Sequence, residues 1–240
     1  MKNFQEHPQS ILLTDSLGVR LQALHPEGDY AIGQDCGIDW RSVDPPEHGA
    51  EAIDWFYVPG VPPNLGGKIR RSYVLWQELL APYIALEFAS GDGSEEKDTT
   101  PLRGDRRSKP GKFWVYEQII RIPYYGIYII EQQQLELYHL VNGYYQPVPT
   151  NARGHYPIQR LEIELGTWQG SYQNQQQTWM RWWDSEGNLL LTGAERADQE
   201  QQRADQEYEA RQAAIPRLLA MGLPPAQVAE ALDLPLSAIA

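Results

Sequence analysis

An acidic residue, Glu87, lies within the apolar segment 83–90, which the sequence predicts to be a strand covered on both faces. Burying a carboxylate without a partner is costly, and glutamate is rarely fully buried unless it is paired. The usual partners are a metal ion or a cation. We therefore expect Glu87 to belong to a metal-binding constellation with Asp54, which Lys112 completes.

The elements that carry Asp54 and Lys112 are also predicted from local pattern. Asp54 lies in segment 51–59, where aromatic and β-branched residues indicate a strand. Lys112 opens segment 112–122, where apolar residues recur at helical spacing. Taken alone, Asp54 fits a solvent-facing residue at the head of a strand better than a ligand, so the hypothesis depends on the three residues together.

The three residue types suit one kind of chemistry. Two carboxylates and a backbone carbonyl offer Mg²⁺ the hard oxygen ligands that it prefers. A bound metal ion polarises a phosphoryl oxygen and lowers the pKa of a bound water. A nearby lysine can orient that water or stabilise charge in the transition state. The combination indicates metal-assisted hydrolysis of a phosphodiester.

Charge is unevenly distributed along the chain. The net charge of −12 speaks against a protein whose whole surface attracts nucleic acid. Between Lys97 and Arg121, however, seven basic residues stand against three acids. A second basic cluster comprises Lys68, Arg70 and Arg71. These segments are either solvated loops or a phosphate-binding rim on an acidic body.

Composition excludes several classes of site. One cysteine, Cys36, rules out a disulfide framework and a cysteine-based zinc site. The five histidines are scattered without helical pair spacing, which gives no support to a histidine metal site. No segment has the length and apolarity of a signal peptide or a membrane span, so we expect a cytoplasmic protein.

The element order predicts an α/β (α+β) fold, with a mixed central sheet flanked by helices. Residues 1–50 are expected to be irregular, with one or two strands. The predicted strands and helix that follow are segments 51–59, 72–80, 82–90, 112–122 (helix), 124–130, 135–141 and 144–148, with a hairpin turn at Asn142-Gly143. Segment 158–165 is predicted to be an edge element. The tryptophans that follow it are predicted to be core or docking residues.

The C-terminal segment differs in character. The sequence Arg-Ala-Asp-Gln-Glu occurs at 196–200 and again at 203–207, which indicates a long polar helix that could pair in a homodimer. Two short helices, 214–221 and 225–232, follow and suit packing or partner contact. We divide the chain into a domain at 1–193, the heptad-like helix at 194–215 and a helical tail at 216–240.

The motifs around Asp54, Glu87 and Lys112 resemble a known family. Segments 53–58, 83–90, 112–116 and 122–128 are similar in order and spacing to those of the Uma-two family, a bacterial group within the PD-(D/E)XK nuclease superfamily. The resemblance implies a restriction-endonuclease-like core and an endonuclease that cleaves DNA with Mg²⁺ or Mn²⁺. It also implies that Asp54, Glu87 and the carbonyl of Phe88 are metal ligands and that Lys112 is the catalytic lysine.

The sequence departs from the family pattern at several positions. Ile53 replaces the usual proline, and Tyr124 replaces a glutamate. The loop after Ser90 is long, so either Asp98 or Asp105 could supply the acid that often precedes the lysine. No segment matches the family's first helix. Two alternatives therefore stay open: a catalytically degenerate nuclease fold that acts as a binding or regulatory module, and an acidic domain in which Glu87 is a paired core acid.

Overall fold

A seven-stranded mixed sheet forms the centre of the structure, a computed structural model that describes residues 4–103 and 109–239. Its seven strands are β1 (Tyr30–Asp39), β2 (Ala50–Pro59), β5 (Tyr73–Val74), β6 (Ile84–Ala89), β7 (Tyr124–Ile129), β8 (Gln134–Val141) and β9 (Tyr144–Pro147). They lie side by side in the order β5-β1-β2-β6-β7-β8-β9. The two-stranded hairpin of β3 (Asn64–Leu65) and β4 (Lys68–Ile69) lies outside this sheet.

The central strands explain why their sequences are almost entirely apolar. Every residue of β6 and β7 is buried. These two strands are parallel, whereas β2 and β6 are antiparallel. A strand covered on both faces needs apolar side chains on both, and this makes Glu87 in β6 exceptional.

One face of the sheet is covered by a helix and a second sheet. The helix α1 (Glu6–Leu24) packs leucines against β2 and β6. The second sheet consists of the antiparallel strands β10 (Tyr156–Ile158), β11 (Ile163–Tyr172) and β12 (Gln175–Asp184). Trp182 of β12 lies in the same apolar cluster and donates its indole N–H to the Leu13 carbonyl at 3.0 Å.

The opposite face is covered by the helix that carries Lys112. It begins as α3 (Lys112–Trp114) and continues as a π-helical turn, Val115–Ile120, which ends at Arg121 with a left-handed φ of 62°. Val115, Tyr116 and Ile120 are buried against the sheet. The π-helical turn places its side chains differently from a regular α-helix, and such turns are frequent at functional sites.

Most sequence-based expectations for this part of the chain are confirmed. The α+β class, the mixed sheet flanked by helices and the C-terminal helical extension are all present. Two expectations are wrong. Residues 1–50 are predicted to be irregular with one or two strands, and they do contain the strand β1, but the 19-residue helix α1 is not predicted. Segment 72–80 is only the two-residue strand β5 followed by the single-turn helix α2 (Leu75–Glu78).

Contacts divide the chain into one unit up to Leu190 and another from Leu191. The second unit contains α4 (Gly193–Ala220), α5 (Pro225–Leu232) and a short 3-10 turn. Thr192 and Glu195 form a reciprocal cap at the start of α4. Because α4 continues through Pro216, the predicted polar helix and the first predicted tail helix form one element. The three-part domain division stays a prediction.

The second unit has its own small apolar core, in which Ile215 of α4 packs with Val228 and Ala229 of α5. Ile215 is the only buried residue of α4, all of which is described. Within the described ranges, no helix combines the length and the apolarity that crossing a membrane requires.

Candidate active site

Asp54 and Glu87 are brought together by the register of β2 and β6. The ladder pairs Tyr57 with Ile84 and ends at Trp55 and Leu86. The next position along it sets Asp54 beside Glu87. Beyond this point a side chain replaces the backbone acceptor: the Phe88 N–H donates to Oδ2 of Asp54 at 2.7 Å.

The pleat of β2 changes at Asp54. Trp55 packs into the apolar cluster beneath α1, whereas both Ile53 and Phe56 pack into the cluster beneath α3. Strict alternation would put Ile53 on the same face as Trp55. In β1, Asp35 lies across from this point, between residues paired with Trp55 and Ile53, and has a left-handed φ of 46°. The distortion is local and coincides with the Asp54 carboxylate.

Glu87 points to the face covered by α3, where both of its oxygens are bonded. Oε1 accepts a hydrogen bond from the Tyr116 hydroxyl at 2.6 Å. Oε2 accepts a hydrogen bond from Nζ of Lys112 at 3.2 Å, and the two groups form an ion pair. Glu87 is 2% exposed. The structure therefore brings Glu87 and Lys112 into contact and places Asp54 close enough to influence both, while their role in binding a metal ion stays a prediction.

The electrostatics of Glu87 follow from its burial. Removal from water, with a smaller contribution from the nearby Asp54 carboxylate, raises the pKa of Glu87 to about 8, although Lys112 and the Tyr116 hydrogen bond oppose the shift. Burial also works against the charge of Lys112, but the Glu87 carboxylate outweighs it, and the pKa of Lys112 is raised. Lys112 thus keeps its proton at neutral pH, whereas Glu87 gains or loses its proton at a pH close to neutral.

The hydrogen bonding of the neighbouring residues indicates the side to which the Phe88 carbonyl is directed. The Ala89 carbonyl accepts a bond from Ile130 N–H at 3.1 Å, toward the β7 side. Neighbouring residues of a strand direct their backbone groups to opposite sides, and the N–H and C=O of one residue share a side. The Phe88 carbonyl is therefore directed to the side on which Asp54 lies, beyond the last backbone pair of β2 and β6.

A buried acid that the sequence reasoning missed, Glu51, lies three residues before Asp54 in β2. Its side chain is 1% exposed, and Oε2 lies 3.4 Å from Nζ of Lys109. Burial raises the pKa of Glu51, while Lys109 and then Lys112 lower it. The sequence offered one signal: an acid two positions from the apolar residue Ile53 in a strand shares its face if the alternation is regular.

The two acids considered for the loop before Lys112 have different outcomes. The Asp98 carboxylate accepts bonds from the Thr100 N–H at 2.8 Å and the Thr100 hydroxyl at 2.6 Å, so it closes a local turn. Its backbone carbonyl lies 3.4 Å from the Trp114 N–H. Asp98 therefore shapes the loop around the start of α3. Asp105 lies outside the described residues, as do Arg106 and Arg107.

Two of the remaining described basic residues of the expected rim form ion pairs with acids of the chain. Lys97 bonds to Glu136 of β8 at 2.7 Å. Arg70, in the second basic cluster, forms an ion pair with Glu78. Lys68 is exposed in β4. Among the described parts of the chain, no group of three or more His, Cys, Asp or Glu residues is placed to hold a metal ion.

Comparison with known proteins identifies the family. No curated protein matches the chain. A family model, Uma2, described as "Putative restriction endonuclease", matches residues 1–171, which include Asp54, Glu87 and Lys112. The match covers more than half of the chain, and the mixed sheet with its flanking helices is consistent with a restriction-endonuclease-like fold. The chain therefore belongs to the Uma2 family of restriction-endonuclease-like proteins.

Proposed function

We propose that the protein is a metal-dependent endonuclease that hydrolyses phosphodiester bonds of DNA. One observation carries the proposal: a buried carboxylate, Glu87, is bonded to Lys112 at 3.2 Å and stands beside Asp54 where the β2–β6 ladder ends. Buried charges are costly and are retained where they are paired or bind metal ions. Membership of a family described by restriction endonuclease activity supports the reaction class.

The donors available at this point fit Mg²⁺ or Mn²⁺. Asp54 and Glu87 offer carboxylate oxygens and Phe88 a carbonyl, the hard donors that suit these two ions. The group contains two acids, so water and a substrate phosphate would complete the coordination, as is usual for Mg²⁺. When bound, the ion would supply Lewis-acid polarisation of the phosphoryl group and a more acidic water.

The residues of the chain have separable roles in this proposal. Lys112 keeps a proton and a positive charge at Nζ, which suits it to orient a water or to stabilise the charge that develops on the phosphate. Tyr116 is fully buried and fixes Oε1 of Glu87 by its hydrogen bond. Asp54 is fixed in turn by the Phe88 N–H. Preorganisation of this kind means that little rearrangement is needed during the reaction.

A second candidate function is a nuclease fold without catalysis, acting as a binding or regulatory module through its C-terminal helices. The observation in its favour is that both oxygens of Glu87 already have protein partners. An acid whose two oxygens are both bonded to protein groups can serve as a structural core residue. Removing one partner of such a buried charged pair strongly destabilises the protein. Metal binding therefore distinguishes the two candidates before any cleavage is measured.

The experiment measures cleavage of plasmid and single-stranded DNA with Mg²⁺ or Mn²⁺, and Mn²⁺ binding by calorimetry. Wild type is compared with Glu87→Gln and Lys112→Met. Glu136→Gln is a matched control, because Glu136 also accepts bonds from a lysine and a tyrosine, Lys97 and Tyr138. We expect the wild type and Glu136→Gln to cleave DNA, and Glu87→Gln and Lys112→Met to lose cleavage. Absence of both cleavage and metal binding in the wild type would reject the proposal in favour of the binding module.

A further inference from the structure

The ion pair of Glu51 and Lys109 is unequal in its exposure to solvent. The Glu51 side chain is 1% exposed, whereas the Lys109 side chain is 54% exposed. The two groups lie 3.4 Å apart, and among the described residues Oε2 of Glu51 has no partner in hydrogen-bonding geometry. A buried carboxylate is thus held near a cation that reaches into solvent, and its bonding capacity is not filled.

The backbone between the two lysines is tightly fixed. Pro110 and Gly111 are buried, and the Gly111 N–H donates to the Thr100 carbonyl at 2.8 Å. A Cβ atom at position 111 would lie 2.1 Å from the Asp98 carbonyl oxygen, so no larger residue fits there without movement. Lys109 and Lys112 therefore leave the same packed segment at defined positions.

The two lysines differ in what they can offer a ligand. Lys112 is 15% exposed and bonded to Glu87. Lys109 is much more exposed, and an ammonium group has three donors, of which the contact with Glu51 engages at most one. Lys109 is thus suited to bind an anion from solvent while Glu51 limits its position.

We propose that Lys109 binds a backbone phosphate of the DNA substrate next to the cleavage site, and that Glu51 is the positioning residue that holds Lys109 there. This inference rests on the proposed nuclease function. The Lys109 contact adds affinity and register, since phosphate contacts orient a protein on nucleic acid without reading its sequence. Glu51 has no contact with the substrate in this arrangement.

The role of Glu51 has a distinctive sign. An acid that only repels DNA would tighten binding when its charge is removed. If the acid positions a phosphate-binding lysine, its removal would weaken DNA binding, even though the less negative net charge of the protein favours DNA binding. Glu51→Gln keeps the size of the side chain and removes the negative charge that holds Lys109, so the direction of its effect on DNA affinity separates these two roles.

The experiment measures binding of a fluorescein-labelled DNA duplex in EDTA over a range of salt concentrations. The proteins are wild type, Lys109→Met, Lys109→Arg, Glu51→Gln and the double variant Glu51→Gln with Lys109→Met. Lys68→Met is the matched control, because it removes the same charge from the exposed hairpin strand β4. Thermal unfolding checks that each variant is folded, and steady-state cleavage gives KM and kcat.

We expect Lys109→Met to raise Kd roughly tenfold, as the loss of one charge-assisted hydrogen bond would. The salt slope should fall by about 0.9, the value for one duplex phosphate contact. KM should rise with little change in kcat. Lys109→Arg should retain most of the affinity. Glu51→Gln should weaken binding when Lys109 is present and have no such effect in the double variant.

Other outcomes overturn the inference. Equal losses in Lys109→Met and Lys68→Met would indicate general electrostatic attraction. Tighter binding by Glu51→Gln would indicate repulsion of DNA by Glu51. If the wild type binds and cleaves DNA and Lys109→Met is unchanged, this inference fails and the nuclease function stands. If the wild type neither binds nor cleaves DNA, both fail together.

Discussion

The Phe88 N–H donates to the Asp54 carboxylate at 2.7 Å, at the point where the backbone ladder between β2 and β6 ends. A side chain thus takes the place of the next backbone acceptor. A buried N–H without a partner is costly, so Asp54 supports the fold at the same position where it is proposed to bind metal. Substitution of Asp54 must therefore be designed to separate these two effects.

Asp54→Asn and Asp54→Ala should separate them. The Asn side chain keeps an oxygen that can accept the Phe88 N–H, whereas Ala leaves that donor unsatisfied. We expect Asp54→Ala to lower the free energy of unfolding by about 1–3 kcal/mol and Asp54→Asn to lower it much less. Both should lose Mn²⁺ binding. Urea unfolding and calorimetry measure the two effects, and unchanged metal affinity in Asp54→Asn would contradict a ligand role.

Lys112→Met should uncouple metal binding from cleavage. Nζ of Lys112 is proposed to act on water or phosphate, and loss of one such electrostatic contact costs roughly 100-fold or more in kcat. The two carboxylates remain, so Mn²⁺ binding should persist. Single-turnover cleavage and calorimetry on the same preparation test this. A variant that loses metal binding along with cleavage would show that Lys112 is needed to build the site rather than to assist the reaction.

The raised pKa of Glu87 predicts how stability varies with pH without metal. The folded-state pKa is about 8 and the unfolded value about 4.5, so between these values the folded protein binds more protons. The contribution of Glu87 to the free energy of unfolding should therefore decrease as pH rises from 5 to about 8. Urea unfolding of wild type and Glu87→Gln over this range measures it, and parallel pH profiles would contradict the shift.

The same pKa predicts that protons compete with metal at Glu87. A carboxyl group must lose its proton before it binds a metal ion, so affinity depends on pH. We expect the affinity for Mn²⁺ to rise by up to roughly tenfold per pH unit below about 8 and then level off. Calorimetry in buffers of different ionisation enthalpy counts the protons released. Binding independent of pH would indicate that Glu87 is not a ligand.

The site could be predicted from sequence where local pattern was sufficient. Glu87 was conspicuous because its neighbours in β6 are all apolar, and Lys112 was placed by the helical spacing that follows it. Glu51 was missed because its significance comes from Lys109, which is distant in the sequence and meets it only in the folded chain. The failure of segment 72–80 as a strand has a similar cause, since β5 pairs with β1 at only two residues.

Helix α1 was missed for a different reason. Its buried side is not purely apolar, because Gln9, Ser10 and Ser16 are buried with the leucines. Pro8 lies in the first turn of α1, where proline is tolerated. Polar residues on the buried side hide the apolar periodicity from which a helix is predicted. The Ser16 hydroxyl donates within the helix, to the Leu12 carbonyl at 2.7 Å, whereas Gln9 depends on strand β12 for its partners.

Gln9 links helix α1 to strand β12 through two hydrogen bonds. Its Nε2 donates to the Met180 carbonyl at 2.9 Å, and its Oε1 accepts the Met180 N–H at 2.8 Å. The amide thus completes the backbone hydrogen bonding of β12 and ties α1 to the second sheet. Gln9→Ala would leave two buried backbone groups without partners and create a cavity.

We expect Gln9→Ala to lower the free energy of unfolding by about 2–4 kcal/mol, since each buried unsatisfied group costs about 1–3 kcal/mol. Gln9→Glu keeps the acceptor but loses the donor, so its loss should be smaller at low pH, where a protonated carboxyl can donate again. Gln175→Ala is the control, because the Gln175 side chain bonds to the exposed Phe4 carbonyl and to the Gln177 amide and satisfies no buried backbone group. Equal stability of the Gln9→Ala and Gln175→Ala variants in urea unfolding would contradict the proposed anchoring of α1.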